Sequence, residues 1–214
     1  SVTQGNTVAA LEYYMLGLEC CNEHNVGDVQ RSIEINIGYL YLDTGMYKEA
    51  RQYFLSAYAR YMAAPENERD ISRLTMIYTN LSESYMLEGD MDNTAQYIDR
   101  IEAECKPHFG EMDNIYVDSL CARFYHLIGD AEKRDMYIAD LEKRLGGRVL
   151  IMDIFGDLYE FCLLMLELDR DDMVVEIINK IEEPIKKTRI ANIKRKYLEL
   201  KIRLYRRNNC EQKC

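Results

Sequence analysis

The segment from Asn36 to Ala57, NIGYLYLDTGMYKEARQYFLSA, decides the fold. Small and aromatic residues recur in it at helical spacings on both sides of Gly45, which predicts a helix, a tight turn and a second helix. Gly38 is small enough to let two helices approach closely, and Tyr41 fills the space beside it. Gly45 can end the first helix in a left-handed conformation without a side-chain clash. The segment therefore predicts a helical hairpin.

The layout of this hairpin recurs along the chain with a repeat period of roughly 40 residues, and self-similarity at a fixed period is the sequence signature of a repeat fold. Two further copies keep the turn glycine, and a fourth has an aspartate in its place. The four turn positions are Gly45, Gly89, Gly129 and Asp169. Their second and third intervals are equal, and the first is slightly longer. Asp90 and Asp130 directly follow a turn glycine and can cap the next helix.

The residue pattern of the second helix also occurs once earlier in the sequence, before the first hairpin. Ala10, Tyr14 and Gly17 lie one repeat period before Ala50, Phe54 and Ala57, so we expect the chain to open with the second helix of an earlier repeat. Periodicity and turn signals predict ten helices. They lie near 7–24, 29–43, 46–62, 70–88, 91–105, 112–128, 131–145, 149–168, 171–186 and 189–207. Loops are predicted at Ala63 to Arg69, Lys106 to Gly110 and Gly146-Gly147.

The hairpin resembles the tetratricopeptide repeat, whose signature has a small residue, a tyrosine and a turn glycine, then Ala, a large apolar residue and Ala. The first hairpin matches it at Ile37, Gly38, Tyr41, Gly45, Ala50, Phe54 and Ala57. The resemblance implies an all-α fold, an α-solenoid built as a right-handed superhelix of antiparallel helix pairs. The period is longer than the usual length of about 34 residues, which implies longer helices. Arg134 and Val174 replace the first small residue of the second helix in the third and fourth copies.

The repeats predict one tetratricopeptide-like domain over residues 1–214. Its repeat units are expected near 1–28, 29–69, 70–110, 111–148, 149–188 and 189–214. The chain starts without methionine and stops as a new helix begins, so we expect a fragment of a larger protein.

A narrower resemblance concerns the segments Asn36–Leu42 and Tyr197–Tyr205 together with the Gly-Asp turns. They are similar to the N-terminal repeat regions of bacterial GGDEF proteins. This implies a sensor region that regulates an appended C-terminal domain, a dimeric diguanylate cyclase that makes cyclic di-GMP from GTP. The Gly-Gly-Asp-Glu-Phe segment does not occur here, so no catalytic residue is implied. Two alternatives are a purely structural dimerisation or docking module and the peptide-binding part of a transcription regulator.

In tetratricopeptide folds the first helix of each repeat lines a concave groove, which binds a protein or peptide. The resemblance places nine residues there: Tyr39, Thr79, Glu83, Met86, Tyr116, Ser119, Arg123, His126 and Tyr159. Aromatic rings, methionine and single charges together suit a peptide or a small ligand. The alternative is an inner face that only contacts solvent.

Little in the sequence supports catalysis or a cofactor. It has no HExxH, no GxSxG and no phosphate-binding glycine loop, so we expect no enzyme activity. Cys20 with His24, and Cys105 with His108, could each supply two metal ligands, but two ligands do not make a site. The seven cysteines show no CxxC spacing, which favours reduced thiols and a cytoplasmic location.

Charge is unevenly distributed along the chain. The formal net charge is -10, yet the stretch from Pro184 onward has 11 Lys/Arg against 2 Asp/Glu. The acidic body repels phosphates, so any contact with nucleic acid would have to come from the basic tail, and nucleic acid is not an expected partner. The longest apolar run, Phe161 to Leu166, is far shorter than the roughly 20 residues of a membrane helix, so no membrane contact is expected.

The last predicted helix carries two apolar stripes at intervals of three and four residues. The first, expected to pack on the preceding helix, consists of Ile190, Ile193, Tyr197, Leu200 and Leu204. The second consists of Leu198, Ile202 and Tyr205. Because an open apolar face at the end of a solenoid needs a cover, the second stripe is a candidate homodimer contact.

Overall fold

The computed structural model describes residues 2–24, 26–146, 151–188 and 190–211, which form ten α-helices and contain no strand. The helices are α1 Val2–His24, α2 Gly27–Asp43, α3 Tyr47–Ala63, α4 Ile71–Glu88, α5 Met91–Arg100, α6 Glu111–Leu127, α7 Ala131–Leu145, α8 Ile151–Glu167, α9 Asp171–Lys187 and α10 Ala191–Glu211. A wider helical turn, Ile101–Cys105, continues α5. The all-α prediction is confirmed.

The predicted helices are all present, and most boundaries agree closely. The start of the first helix was predicted at residue 7, which is wrong, because α1 already begins at Val2. The polar residues before Thr7 carry no apolar period that could have indicated this. Gly147 of one predicted loop and the predicted helix starts at 149 and 189 lie outside the described residues.

The four turns adopt one backbone conformation. Gly45, Gly89 and Gly129 have φ angles of 79°, 87° and 79°, and Asp169 has 55°. Asp169 thus takes the left-handed conformation of the glycines it replaces, which few side chains tolerate.

The predicted helix caps are present after two of the turns. The Asp90 carboxylate accepts a hydrogen bond from the Asn93 amide at 3.1 Å. The Asp130 carboxylate accepts one from the Lys133 amide, also at 3.1 Å. Each carboxylate satisfies a backbone donor that the first turn of a helix leaves open.

A pair of stacked tyrosines in equivalent positions joins the two helices of three hairpins near the turn. The stacked rings are Tyr41 with Tyr53, Tyr85 with Tyr97 and Tyr125 with Tyr137, with centroids 5.6, 5.8 and 5.6 Å apart. Offset aromatic pairs at such distances add to the stability that their burial provides.

A polar pair in equivalent positions joins the same hairpins at the end away from the turn. Arg60 donates to Glu34 at 2.9 Å, Tyr78 to Glu104 at 3.0 Å and Arg144 to Asp118 at 2.9 Å. Each of these hairpins is therefore fixed at both ends by side chains that recur from one repeat to the next.

The chain divides into two compact units, Ser1–Asp113 and Asn114–Cys214. In the first, α1 packs on α2, α2 on α3, α3 on α4 and α4 on α5, with α2 also against α4. In the second, α8, α9 and α10 contact one another, and the Lys180 ammonium on α9 donates to the Leu145 carbonyl on α7 at 2.6 Å. These contacts join helices that are adjacent or next but one in the chain. Whether the units form one repeat domain stays a prediction.

The first apolar stripe of α10 is largely confirmed. Tyr197, Leu200 and Leu204 are buried and Ile193 is half-buried. Ile190 was expected to pack but is 59% exposed, because it precedes the first residue of α10.

The glycine at the centre of the first hairpin generates a stability prediction. A Cβ on Gly38 would overlap the ring of Phe54, which is fully buried. We expect Gly38→Ala to lower the free energy of unfolding by about 1–3 kcal/mol, because overpacking outweighs the gain in helix propensity. Urea denaturation measures the change.

Gly27 provides the matched control, since a Cβ there would meet nothing within 4 Å. Gly27→Ala is expected to be neutral or to stabilise by about 0.5–1 kcal/mol. Equal effects of the two substitutions would contradict close packing at Gly38.

Candidate functional site

The nine residues predicted for the groove lie on α2, α4, α6 and α8, the helices that precede the four left-handed turns. They fall into both compact units and are described separately. Met86, Ser119 and Tyr159 are buried, so these three side chains lie beneath the face rather than on it.

In the first unit, Tyr39 is the most accessible of the predicted residues, with 37% of its surface exposed. Thr79 and Glu83 are half-buried on the neighbouring first helix, α4. The Thr79 hydroxyl donates a hydrogen bond to the Thr75 carbonyl at 2.7 Å, so its donor is already used within α4. Tyr39 and Glu83 thus place an aromatic ring and a carboxylate on the first helices of this unit.

In the second unit, Tyr116, Arg123 and His126 are half-buried on α6. His126 Nε2 lies 3.5 Å from Glu167 Oε2 at the end of α8. This contact places an imidazole and a carboxylate side by side on two successive first helices. Together the two groups can donate hydrogen bonds to a polar ligand and accept hydrogen bonds from it.

A charged cluster on α8 and α10 surrounds Tyr159, and the sequence analysis missed it. The Lys196 ammonium donates to the Gly156 carbonyl at 3.1 Å and lies 5.2 Å from the centre of the Tyr159 ring. Glu199 accepts from Arg203 at 2.8 Å and lies 3.6 Å from Arg195. The spacing of Arg195, Glu199 and Arg203 at intervals of four is a signal that could have revealed this ion-pair network.

The cluster shifts the protonation of two of its members. The hydrogen bond from Arg203, followed by that from Tyr159, lowers the pKa of Glu199. Burial, followed by the hydrogen bond to Glu199, raises the pKa of Tyr159. Glu199 therefore stays ionised and Tyr159 stays protonated at neutral pH.

Reactive groups are scarce in the described ranges. They contain no cluster of three or more His, Cys, Asp or Glu side chains that could hold a metal ion. Burial raises the pKa of the Cys162 thiol to about 12, and it also raises that of Cys105. Thiols held in this form are poor nucleophiles.

Two concavities lie away from the predicted groove. One, of about 480 Å³, runs along the open side of α1 and is lined by Val8, Leu11, Glu12, Met15, Leu16 and Glu19. The other, of about 140 Å³, lies between α7 and α9. Neither concavity is lined by any of the nine residues predicted for the groove.

No known protein-family model matches the chain, and a comparison with curated proteins gave no match either. Within the described part, none of the helices combines the length and the apolar character needed to cross a bilayer.

The Glu199 network predicts a dependence of stability on pH. Because its pKa is lowered in the folded protein, Glu199 stabilises the fold above its unfolded pKa of about 4.3, and this contribution disappears as the pH falls through the lowered value. We expect Glu199→Gln to be less stable than the wild type by about 0.2–1 kcal/mol at pH 7. The difference should vanish in strong acid when thermal or urea unfolding is followed.

Glu66 is exposed in the segment between α3 and α4 and makes no ion pair with another described residue. Glu66→Gln is the matched control and should leave the free energy of unfolding at pH 7 unchanged, because no ion pair is lost. A Glu199→Gln difference that is constant with pH would refute the role assigned to the carboxylate.

Proposed function

We propose that this chain is a tetratricopeptide-like α-solenoid that acts as a non-catalytic sensor and scaffold region. The observation that carries the proposal is the repetition of one hairpin, with a left-handed turn, a tyrosine stack beside it and a polar pair at the far end. Contacts between helices that are adjacent or next but one support the same arrangement. In such arrays each repeat touches its neighbours, and small changes add up along the chain.

The proposed ligand is a protein or peptide that contacts the first helices of the repeats. In the first unit Tyr39 offers aromatic surface and Glu83 a charge. In the second unit Tyr116 offers aromatic surface, and Arg123 and His126 offer charge and hydrogen bonds. A peptide with alternating apolar and charged side chains fits this mixture better than an apolar small molecule. Met86, Ser119 and Tyr159 would support the face from beneath.

The proposed output is an appended C-terminal domain, a GGDEF diguanylate cyclase, in cyclic di-GMP signalling. The similarity of segments Asn36–Leu42 and Tyr197–Tyr205 to the repeat regions of that family supports it. Binding on the first helices would alter how the array presents α10 to the next domain. A downstream Gly-Gly-Asp-Glu-Phe segment in the gene is the expected finding, and its absence would remove this part of the proposal.

A structural docking module is the second candidate. It is favoured by the exposed stripe on α10, where Leu198, Ile202 and Tyr205 are 55%, 49% and 71% exposed. Isolated exposed apolar side chains are common, but an aligned set on one helix face is typical of a contact surface.

Peptide binding can be tested with Arg123→Ala. Peptides selected on the purified wild-type chain from a random phage-displayed library should bind Arg123→Ala about 10-fold more weakly, because a charged anchor on the face is lost. Fluorescence anisotropy of a labelled peptide gives the dissociation constants, and circular dichroism should show an unchanged fold.

Lys143→Ala is the matched control, an exposed cation on the second helix of the same hairpin. It should bind the peptide like the wild type. If no peptide is enriched, or if both variants lose affinity equally, the groove is not the binding surface.

A further inference from the structure

Helices α1 and α10 carry the two most exposed large apolar side chains of the described residues. Tyr13 on α1 is 76% exposed and Tyr205 on α10 is 71% exposed. Leu16 on α1 and Leu198 on α10 are also exposed, at 59% and 55%. In contrast, the tyrosines that stack inside the three hairpins are half-buried or buried.

Both exposed tyrosines occupy positions of the repeated stack. Tyr205 lies two repeat periods after Tyr125, which is the tyrosine of a first helix. Tyr13 lies one repeat period before Tyr53, the tyrosine of a second helix. The end helices therefore carry the two complementary halves of one stack.

The two positions of the polar pair also have counterparts on the end helices, one on α10 and one on α1. Leu198 lies two repeat periods after Asp118, and Cys20 lies one period before Arg60. Both end positions are less polar than their counterparts inside the array, and both are exposed. If α10 met an α1 helix with the geometry of the internal hairpins, Tyr205 would face Tyr13 and Leu198 would face Cys20.

The charges of the two helices are complementary. The sequence of α10 contains seven Lys/Arg and two Glu, whereas that of α1 contains three Glu and no Lys or Arg. Lys194 and Lys201 flank the exposed stripe of α10, where Lys201 also pairs with Glu182 of α9 at 3.3 Å, and Glu19 and Glu23 are exposed on α1. Opposite charges at the edges of an interface favour encounter and fix its register.

Contact between two α10 helices is disfavoured by the same charges. A symmetric contact places each patch against its own copy, so Lys194 and Lys201 would approach the corresponding lysines. Like charges in such positions oppose association. The acidic, apolar face of α1 is the better complement.

We propose that α10 of one copy docks on α1 of a second copy and completes a helical hairpin between them. The inference rests on the proposed repeat architecture but not on a ligand in the groove. Because the two surfaces differ, the contact is head-to-tail and leads to rings or to open chains of copies.

Two variants of the full chain test this inference. Leu198→Glu/Ile202→Glu blocks α10, and Tyr13→Glu/Leu16→Glu blocks α1. Light scattering after size exclusion should show a wild-type mass that rises with concentration above one chain, whereas each variant alone should have the mass of one chain. Mixed in equal amounts, the variants should form a two-chain species, since one compatible pair of faces remains.

Leu55→Glu/Met136→Glu is the control, because both side chains are exposed on helices away from the ends. It should associate like the wild type. Circular dichroism checks the fold of every variant, and the milder Tyr13→Ala and Tyr205→Ala should each weaken association about 2- to 10-fold.

Three results would overturn the inference. A wild type that stays monomeric at all concentrations would mean that another partner or a further helix covers α10. Association of the α1-blocked variant alone would indicate contact between two α10 helices, and a monomeric mixture would exclude the head-to-tail pair. Peptide binding sensitive to Arg123→Ala would persist in each of these cases, which separates this failure from failure of the proposed function.

Discussion

The left-handed residue at each turn is the constraint on which the hairpins depend. It reverses the chain within a few residues at Gly45, Gly89, Gly129 and Asp169, and so fixes the register of the two helices on either side. Once the register is set, each position before the turn meets one particular position after it. This is why tyrosines in equivalent positions stack in three hairpins, and why polar partners in equivalent positions meet at the other end.

The sequence predicted the helices, the turns and the caps because glycine, aspartate and apolar period are local signals. The position of Asp169 followed from the period alone, and its φ of 55° agrees. The polar pairs could not be predicted in this way, because the residue types at the two equivalent positions change from one hairpin to the next, for example from Glu34–Arg60 to Tyr78–Glu104. Burial of Tyr159 was missed because it depends on contacts with Lys196 and Glu199 of α10, which lie far from Tyr159 in the chain and are not local signals.

The proposed binding face and the proposed end contacts use different parts of the same repeat. In the proposed array, first helices would present one face to their second helix and another to a ligand, so that a repeat could bind without disturbing its own hairpin. At α1 and α10 the hairpin-forming face is itself exposed, and the charges of the two helices have opposite sign. In this proposal the asymmetric charge of the chain has a structural role at α1 and α10, while the mixed aromatic and charged side chains of the first helices serve recognition.

A set of double-mutant cycles on the tyrosine stacks tests the repeat architecture most directly. For Tyr41 with Tyr53 and for Tyr85 with Tyr97, each changed to Leu singly and together, urea unfolding should give a coupling energy of about 0.5–1.5 kcal/mol. The mismatched cycle of Tyr41 with Tyr97 joins different repeats and should give a coupling below about 0.5 kcal/mol. Coupling that is absent within a hairpin, or equally large across repeats, would contradict an array of hairpins that each hold their own register.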